Sequence, residues 1–269
     1  MKIKTLLIVL LALTTAAVGA DSRWTFSLKG SYYVPVSSTF NKEYVPAVNE
    51  NLKQLSTFLS NSGLSGLSQN LGEITGIISA GGELEFRTGP QFYLVLGSEF
   101  VYKRLTSGLK ISGVVESIAI EVTQDGKVAL SSIPAYLTFR VNIPVPNLRL
   151  YIGGGLGYYY NRAVITEKWE WKENLVMISE GSRKVVATAR NIFPHANVGA
   201  DLQVSSRFYL SGDIRVPIGS VKNFKVKSDS LDSSTIGQKL TFIDQDGQEK
   251  DFNWELTGPS ISVSLKYRF

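Results

Sequence analysis

His195 is the only histidine in 269 residues, and there is no cysteine. Zinc and soft-metal sites need clusters of those two ligands, so none is expected. A hydrolytic dyad on a strand needs a hydroxyl within reach of the imidazole. Two positions beyond His195, on the same side of an alternating stretch, stands Asn197 rather than serine. His195 therefore reads as a polar-face residue lining a lumen or its rim. The acids Asp229, Asp232, Asp244, Asp246 and Glu249 cluster near the C-terminus, where DQDGQE reads as a turn more simply than as a calcium loop. GGGLG at Gly153 to Gly157 opens no helix, so it makes no phosphate cradle; small residues inside a strand ease close packing instead. No catalytic, cofactor or metal residue is expected, and the chain is not expected to be an enzyme.

A second set of reactive types has another use. Glu83, Glu85, Arg87, Glu99, Arg140, Asp201, Asp213, Arg215 and Lys266 carry both signs, and each stands on the polar side of an alternating stretch. Acid/base work by Glu83, Glu85, Asp201 and Asp213 is one reading. A structural network is the other, because a charge enclosed by protein must find a counter-charge.

Strands must hold these groups. Eight stretches alternate apolar and polar residues with period two, among them ISAGGELEFR, IPAYLTFRVNI, PHANVGADLQV and the final SISVSLKYRF. Three connections are tight, at Thr88 to Gln91, Pro144 to Asn147 and Ser205-Ser206, while the other four run from about 25 to 40 residues. Tight turns at one end and long loops at the other predict an eight-stranded antiparallel up-and-down transmembrane barrel with long extracellular loops. Ten strands are the alternative, with Ile111 to Val122 spanning. Period two leaves open which face is outside, since soluble ligand-binding barrels alternate as well. Two aromatic bands favour an apolar exterior: Trp24, Phe92, Phe208, Tyr267 and Phe269 at one end, and Tyr32, Phe100, Tyr102, Tyr158 and Tyr160 at the other.

The remainder of the chain fits export. MKIK followed by TLLIVLLALTTAA predicts a signal peptide over 1–20, leaving the barrel as 21–269. Losing Lys2 and Lys4 lowers the formal charge from +5 to about +3, too little to suggest nucleic acid. In the first long loop, 37–76, Val48, Leu52, Leu55 and Leu59 recur at helical spacing, with Pro46 near the start and Gly63 as a stop. Leu64, Leu67 and Leu71 repeat that spacing, predicting one or two short amphipathic helices. They would cap the lumen, or form an apolar entrance or partner surface. Hairpin turns are expected at Asp125-Gly126 and near Asp246-Gly247. In a third loop, KWEWKENLVMIS holds Trp169 and Trp171, and strands are expected to project beyond the membrane.

GPSISVSLKYRF, with aromatics at Tyr267 and Phe269, resembles the C-terminal strand of Gram-negative outer-membrane proteins. NVGADLQVSSRFYLSGDIRVPIG and YIGGGLGYYYN resemble strands of small OmpW-like and OmpA-like barrels. The resemblance implies an outer-membrane location, lipid contact, and reading of Tyr267 and Phe269 by the barrel assembly machinery. It also implies a non-enzymatic role, passing small or apolar solutes in an OmpW-like manner. The alternative is a surface adhesin or envelope-stabilising protein whose loops meet an extracellular partner.

Overall fold

A computed structural model describes residues 23–35, 39–254 and 258–269. The expected signal peptide over 1–20 lies outside the described residues.

Eight strands close into a ring. They are β1 (Trp24–Tyr33), β3 (Ile77–Arg87), β4 (Phe92–Val115), β5 (Ile118–Val145), β6 (Leu148–Glu173), β7 (Val176–Gln203), β8 (Phe208–Pro217) and β12 (Ser260–Arg268). Each pairs antiparallel with the next in that order, and β12 returns to β1 through pairs from Thr25–Arg268 to Tyr33–Ser260. Two short strands lie outside the ring: β2 (Ser65–Gln69) pairs with β4, and β9 (Lys225–Asp229) with β7. A separate hairpin joins β10 (Thr241–Ile243) to β11 (Glu249–Asp251). The ten-strand alternative is thereby corrected. Ile111 to Val122 does not span alone; it forms the end of β4, a turn and the start of β5.

The apolar faces look outward. Leu28, Leu96, Ile152, Leu156 and Val263 are about 60% exposed, while Glu85, Arg140, Asp201 and Lys266 are almost fully buried. Such an exterior suits hydrocarbon, and closure leaves no unpaired strand edge around the ring. Aromatics bracket the band. Trp24 lies 4.6 Å from Phe86, Phe92 5.7 Å from Phe139, and Tyr267 lies 5.1 and 5.2 Å from Phe208 and Phe269. At the other end Phe100 stacks with Tyr102, Arg190 lies over Tyr160, and Tyr158 is exposed.

Four strands continue far past the upper aromatics. β4 to β7 hold 24, 28, 26 and 28 residues, against about 10 needed to cross a bilayer. The face parity is retained but the chemistry inverts. Outward on β4, Leu94, Leu96 and Phe100 give way to Arg104, Thr106 and Lys110. Inward, Glu99 gives way to Leu105, Leu109 and Ile111, all buried. The projecting part is a curved sheet with a water-facing exterior and a hydrophobic core.

Two long loops fill that core. One π-helical turn (Phe40–Tyr44) leads into helix α1 (Val45–Asn61), which has Pro46 in its first turn. Gly63, at φ 83°, ends the helix in the left-handed region that glycine adopts without cost. Leu52 and Leu59 pack on Leu64, Leu109 and Ile111, with Val48 and Leu55 partly buried beside them. Asn49 donates to the Leu71 carbonyl and accepts from its N–H; Asn41 does the same with Ile74. From the last loop come Val221, Phe224, Phe252 and Trp254, which join Phe40 and Tyr44 in one cluster. Edge-on ring contacts at 5.1 to 5.8 Å link Phe252 to Phe40, Tyr44 and Phe224.

Several loop expectations need correction. Leu64 and Leu67 begin no second helix; they flank or lie in β2, where a Cβ on Gly66 would meet the Lys110 carbonyl. Asp125-Gly126 is mid-strand in β5. The real turns are Glu116-Ser117 and Asn174-Leu175, each pair at positive φ. The second and third loops are therefore long hairpins closed by two residues. The turn near Asp246-Gly247 is present, with Asp246 and Gln248 N–H groups bonded to Asp244.

Candidate functional site

Inside the membrane band, inward-facing residues of all eight ring strands meet in one cluster. From β1, Lys29 Nζ lies 3.2 Å from Glu83, 3.5 Å from Glu99 and 3.0 Å from Asp213. Opposite, Arg215 of β8 reaches Glu83 at 2.8 Å and Glu99 at 3.0 Å. Lower down, Arg140 of β5 bonds Glu85 at 2.5 Å and Glu83 at 3.4 Å. Lys266 of β12 contacts Glu85 and lies 3.0 Å from Asp201, which Arg149 also meets at 3.1 Å. Five cations thus face five carboxylates, and the ledger of charge is zero.

Aromatic rings separate the layers. The Arg215 guanidinium lies 3.6 Å from the centre of the Tyr136 ring, and Arg140 lies 4.1 Å from Tyr151. Tyr136 also donates its hydroxyl hydrogen within reach of Glu83 at 2.9 Å and Glu99 at 3.2 Å. Cations sandwiched between carboxylates and ring faces gain from both, which suits a site without bulk water. This interior is packed with side chains, as an eight-stranded barrel allows. The arrangement holds a barrel closed; it offers no exposed carboxylate pair for acid/base work.

Eight of the nine predicted lumen residues take part. Arg87 does not: its guanidinium donates to the carbonyls of Gly89 and Pro90 at the tight turn below the network. Sequence reasoning missed Lys29, a cation that meets three carboxylates, as Arg215 does. Its parity with Thr25, Ser27 and Ser31, all buried, was the available signal. His195 is also in the lumen, buried, with Nε2 2.7 Å from Thr138 Oγ1 on β5. It sits well within β7, because that strand runs on to Val176 rather than ending near Pro194. The hydroxyl it meets lies two strands away on the same rung, beyond Gly155 of β6, where reading along one strand does not look. Tyr136 lies edge-on to the imidazole at 5.9 Å, and neither cavity described below touches the pair.

Two ladder pairs are missing from the wall at the upper edge of the charge cluster, with the register unchanged across them. β4 and β5 pair continuously from Phe92–Val141 to Ser98–Ala135 and again from Val101–Ser132. Between these, Glu99 and Phe100 face Pro134 and Ile133 without ladder pairs. Proline has no N–H to give, and on its other side Pro134 still keeps register with Tyr159 of β6. The gap lies where the interior changes from charge to hydrocarbon and the exterior reaches Phe100 and Tyr102.

Above the band, two cavities flank α1. One, of about 290 Å³, lies between α1, β9 and β10; the other, of about 240 Å³, lies between α1 and strands β4 to β6. Tyr44, Val48, Asn51, Ile165 and Glu167 line both. At the rim, Arg183 grips Asp229 through Nε at 3.2 Å and Nη2 at 2.6 Å. That grip holds the Asp229 carboxyl at a pKa of about 2, against an ordinary value near 3.8. The loop stripe Val48, Leu52, Leu55 and Leu59 is thus a packing face, with Val48 and Leu55 also lining cavity walls.

The geometry is that of an eight-stranded antiparallel β-barrel with an apolar exterior. Solved structures with a similar arrangement include the outer membrane protein OprG from Pseudomonas aeruginosa, at 9% identity over 93% of this chain and 98% of that one, with a TM-score of 0.44. Acinetobacter baumannii CarO is 15% identical over 71% of this chain and 92% of its own, at a TM-score of 0.34. Ail, the attachment invasion locus protein of Yersinia pestis, is 10% identical over 92% and 99%, at a TM-score of 0.32. No family model matches the sequence, and neither does any curated protein. The barrel assignment rests on the closed ladder and its apolar exterior.

Proposed function

We propose that the chain is a non-enzymatic protein of the cell outer membrane, exported by the general secretory route, that passes small apolar solutes sideways into the lipid. Its partners in this reading are membrane lipid and, during biogenesis, the barrel assembly machinery reading Tyr267 and Phe269; nucleic acid has no part. One observation carries the solute route: the β4–β5 ladder lacks two pairs at Pro134, at the upper edge of a lumen filled by paired charges. A solute that reached this height from outside would find hydrocarbon through the wall and charge beneath. Replacing Pro134 by valine restores an N–H to β5. The expected result is slower uptake of a fluorescent apolar solute by proteoliposomes holding the P134V chain. Unchanged uptake in P134V and after deletion of 37–76 would sink the route.

A different observation favours surface interaction. At the β6–β7 tip, Leu175, Val176, Met177 and Ile178 are all exposed beside Trp171. Exposed apolar clusters of this kind mark contact sites, here for an extracellular or envelope partner. Binding of matrix proteins or purified envelope proteins to cells bearing the chain tests it. Binding that survives replacement of all four residues by serine would count against the tip.

A further inference from the structure

Carboxylates are absent from one level of the outer wall. On 100–106 of β4, 127–133 of β5, 158–166 of β6, 184–192 of β7 and 225–228 of β9 there is no aspartate or glutamate. Six cations stand on the outward face of these segments: Arg104, Lys127, Arg162, Lys184, Arg190 and Lys225. Their inward neighbours Leu105, Val128, Ala163, Val185, Ala189 and Val226 are buried. The register gathers three of the cations. Arg162 pairs with Thr188, and Thr188 pairs on its other side with Lys225. Arg190 stands two residues along β7 on the same face, 6.0 Å from the centre of the Tyr160 ring. Among the described residues none of the six side chains has a hydrogen bond or an ion pair. Other outward cations are matched. Higher on the sheet, Lys110 lies 3.1 Å from Glu121 and Lys172 lies 3.1 Å from Glu170. Lys239, bridged to Lys225, lies 2.8 Å from Asp251. At the tight-turn end Arg87, Arg207 and Arg268 donate to carbonyl or phenol oxygens.

We infer that this level binds the phosphates of anionic lipid in the surrounding leaflet. Arg162, Arg190 and Lys225 close on one phosphate over Thr188, and Arg104, Lys127 and Lys184 meet further anionic groups of the headgroups. The inference rests on reading the band as membrane-spanning. Height carries it. Arg162 shares a rung with Tyr102 through Ser131, and Arg190 pairs with Tyr160, both tyrosines belonging to the upper aromatic band. Rings of that kind mark the level where hydrocarbon gives way to headgroups. Arg104 stands two residues past Tyr102, about 7 Å further along the strand, and Lys127 and Lys184 share the next outward rung. Between the cations the outward residues are small, among them Ala129, Ser131, Thr166 and Thr188, which leaves the wall open to a headgroup. Arginine takes phosphate through its fork of N–H donors and lysine as a point charge. Attraction to an anionic surface accumulates with each cation held near it.

The test uses the full chain folded in zwitterionic detergent. Lipid A, a diphosphorylated acylated disaccharide, is the probe, and a phosphate-free acylated disaccharide is its neutral counterpart. Native mass spectrometry reads both. Lipid A is expected to bind at least about tenfold more tightly, and the combined Arg162→Gln, Arg190→Gln, Lys225→Gln variant to lose about that factor. Each variant is first checked for the folded barrel by its heat-modifiable gel mobility. Lys225→Gln alone, expected to lose about threefold, serves if the combined variant does not fold. The same three-charge change at the tight-turn end, Arg87→Gln, Arg207→Gln, Arg268→Gln, is expected to leave the preference intact. Equal affinity for the two probes overturns the belt. So does a preference that the folded belt variants keep, or that the tight-turn variant loses equally. Displacement of lipid A by an equal concentration of inorganic phosphate would overturn the lipid as its occupant. Insertion of the parent chain into phosphatidylcholine vesicles is measured separately. Failure to insert overturns the membrane reading and the belt together, whereas insertion without the lipid A preference overturns the belt alone.

Discussion

The lower and upper halves of β4 to β7 share one backbone ladder and one side-chain parity, yet they solve opposite solvation problems. In the band, Leu96 and Leu156 look out and Glu99 and Arg140 look in. Above it, Thr106 and Lys110 look out while Leu105 and Leu109 look in. Parity decides only which residues share a face. Which face is apolar is set by whether lipid or water lies outside. The switch falls at Phe100 and Tyr102 on β4 and at Tyr158 and Tyr160 on β6, where amphipathic rings suit an interface. The two interiors differ in kind as well. One is held by balanced charge, the other by hydrocarbon delivered from two loops.

Single substitutions can break this contrast. The largest effect is expected in the charged interior. Lys29→Ala leaves Glu83, Glu99 and Asp213 short of a cation, at a cost of about 3–5 kcal/mol, measured by urea unfolding in lipid. Trp254→Ala in the upper core should cost about as much, about 3–5 kcal/mol, but locally. Limited proteolysis should then cut the loops while gel mobility still reports a closed barrel. Loss of the barrel itself would show that the halves are one cooperative unit.

A matched pair on one face of β4 tests the boundary directly. Leu96→Arg puts a cation near mid-band and should cost about 2–4 kcal/mol, whereas Thr106→Arg should change stability by no more than about 0.5 kcal/mol. Equal costs would mean that the band is misplaced. The smallest expected effect is the pH response of the Arg183–Asp229 clasp. Asp229 is depressed from near 3.8 to about 2, so its contribution is complete above pH 4 and disappears as pH falls toward 2. Hydrogen exchange on β9 should therefore rise between pH 4 and pH 2, and Arg183→Gln should remove that step. Exchange that rises instead between pH 6 and 5 would point to another group.

Much of the band was legible because lipid demands an unbroken apolar face. Ile261, Val263 and Leu265 alternate with Ser262, Ser264 and Lys266 on β12, and the first set faces outward while the second is buried. The upper half was harder. IAIEVTQDGKVAL alternates too, but its Asp125-Gly126 mimics a hairpin turn. Gly126 is instead a mid-strand residue facing inward, where an added Cβ would come within 2.5 Å of Ser107 Oγ. The true turn at Glu116-Ser117 uses two residues that seldom adopt positive φ, so nothing local announces it.

The two-residue turns at Glu116-Ser117 and Asn174-Leu175 make the height of the molecule a matter of counting rungs. From Lys103 to Val115 the β4 ladder rises about 40 Å along the strand, with no hinge between lipid and tip. Deleting two residue pairs from the hairpin of β6 and β7 would shorten that hairpin by about 7 Å and return every remaining side chain to its own face. Deleting one pair would shorten it half as far and turn the faces over. Reach on this scaffold is quantised, and it lengthens or shortens only in even steps.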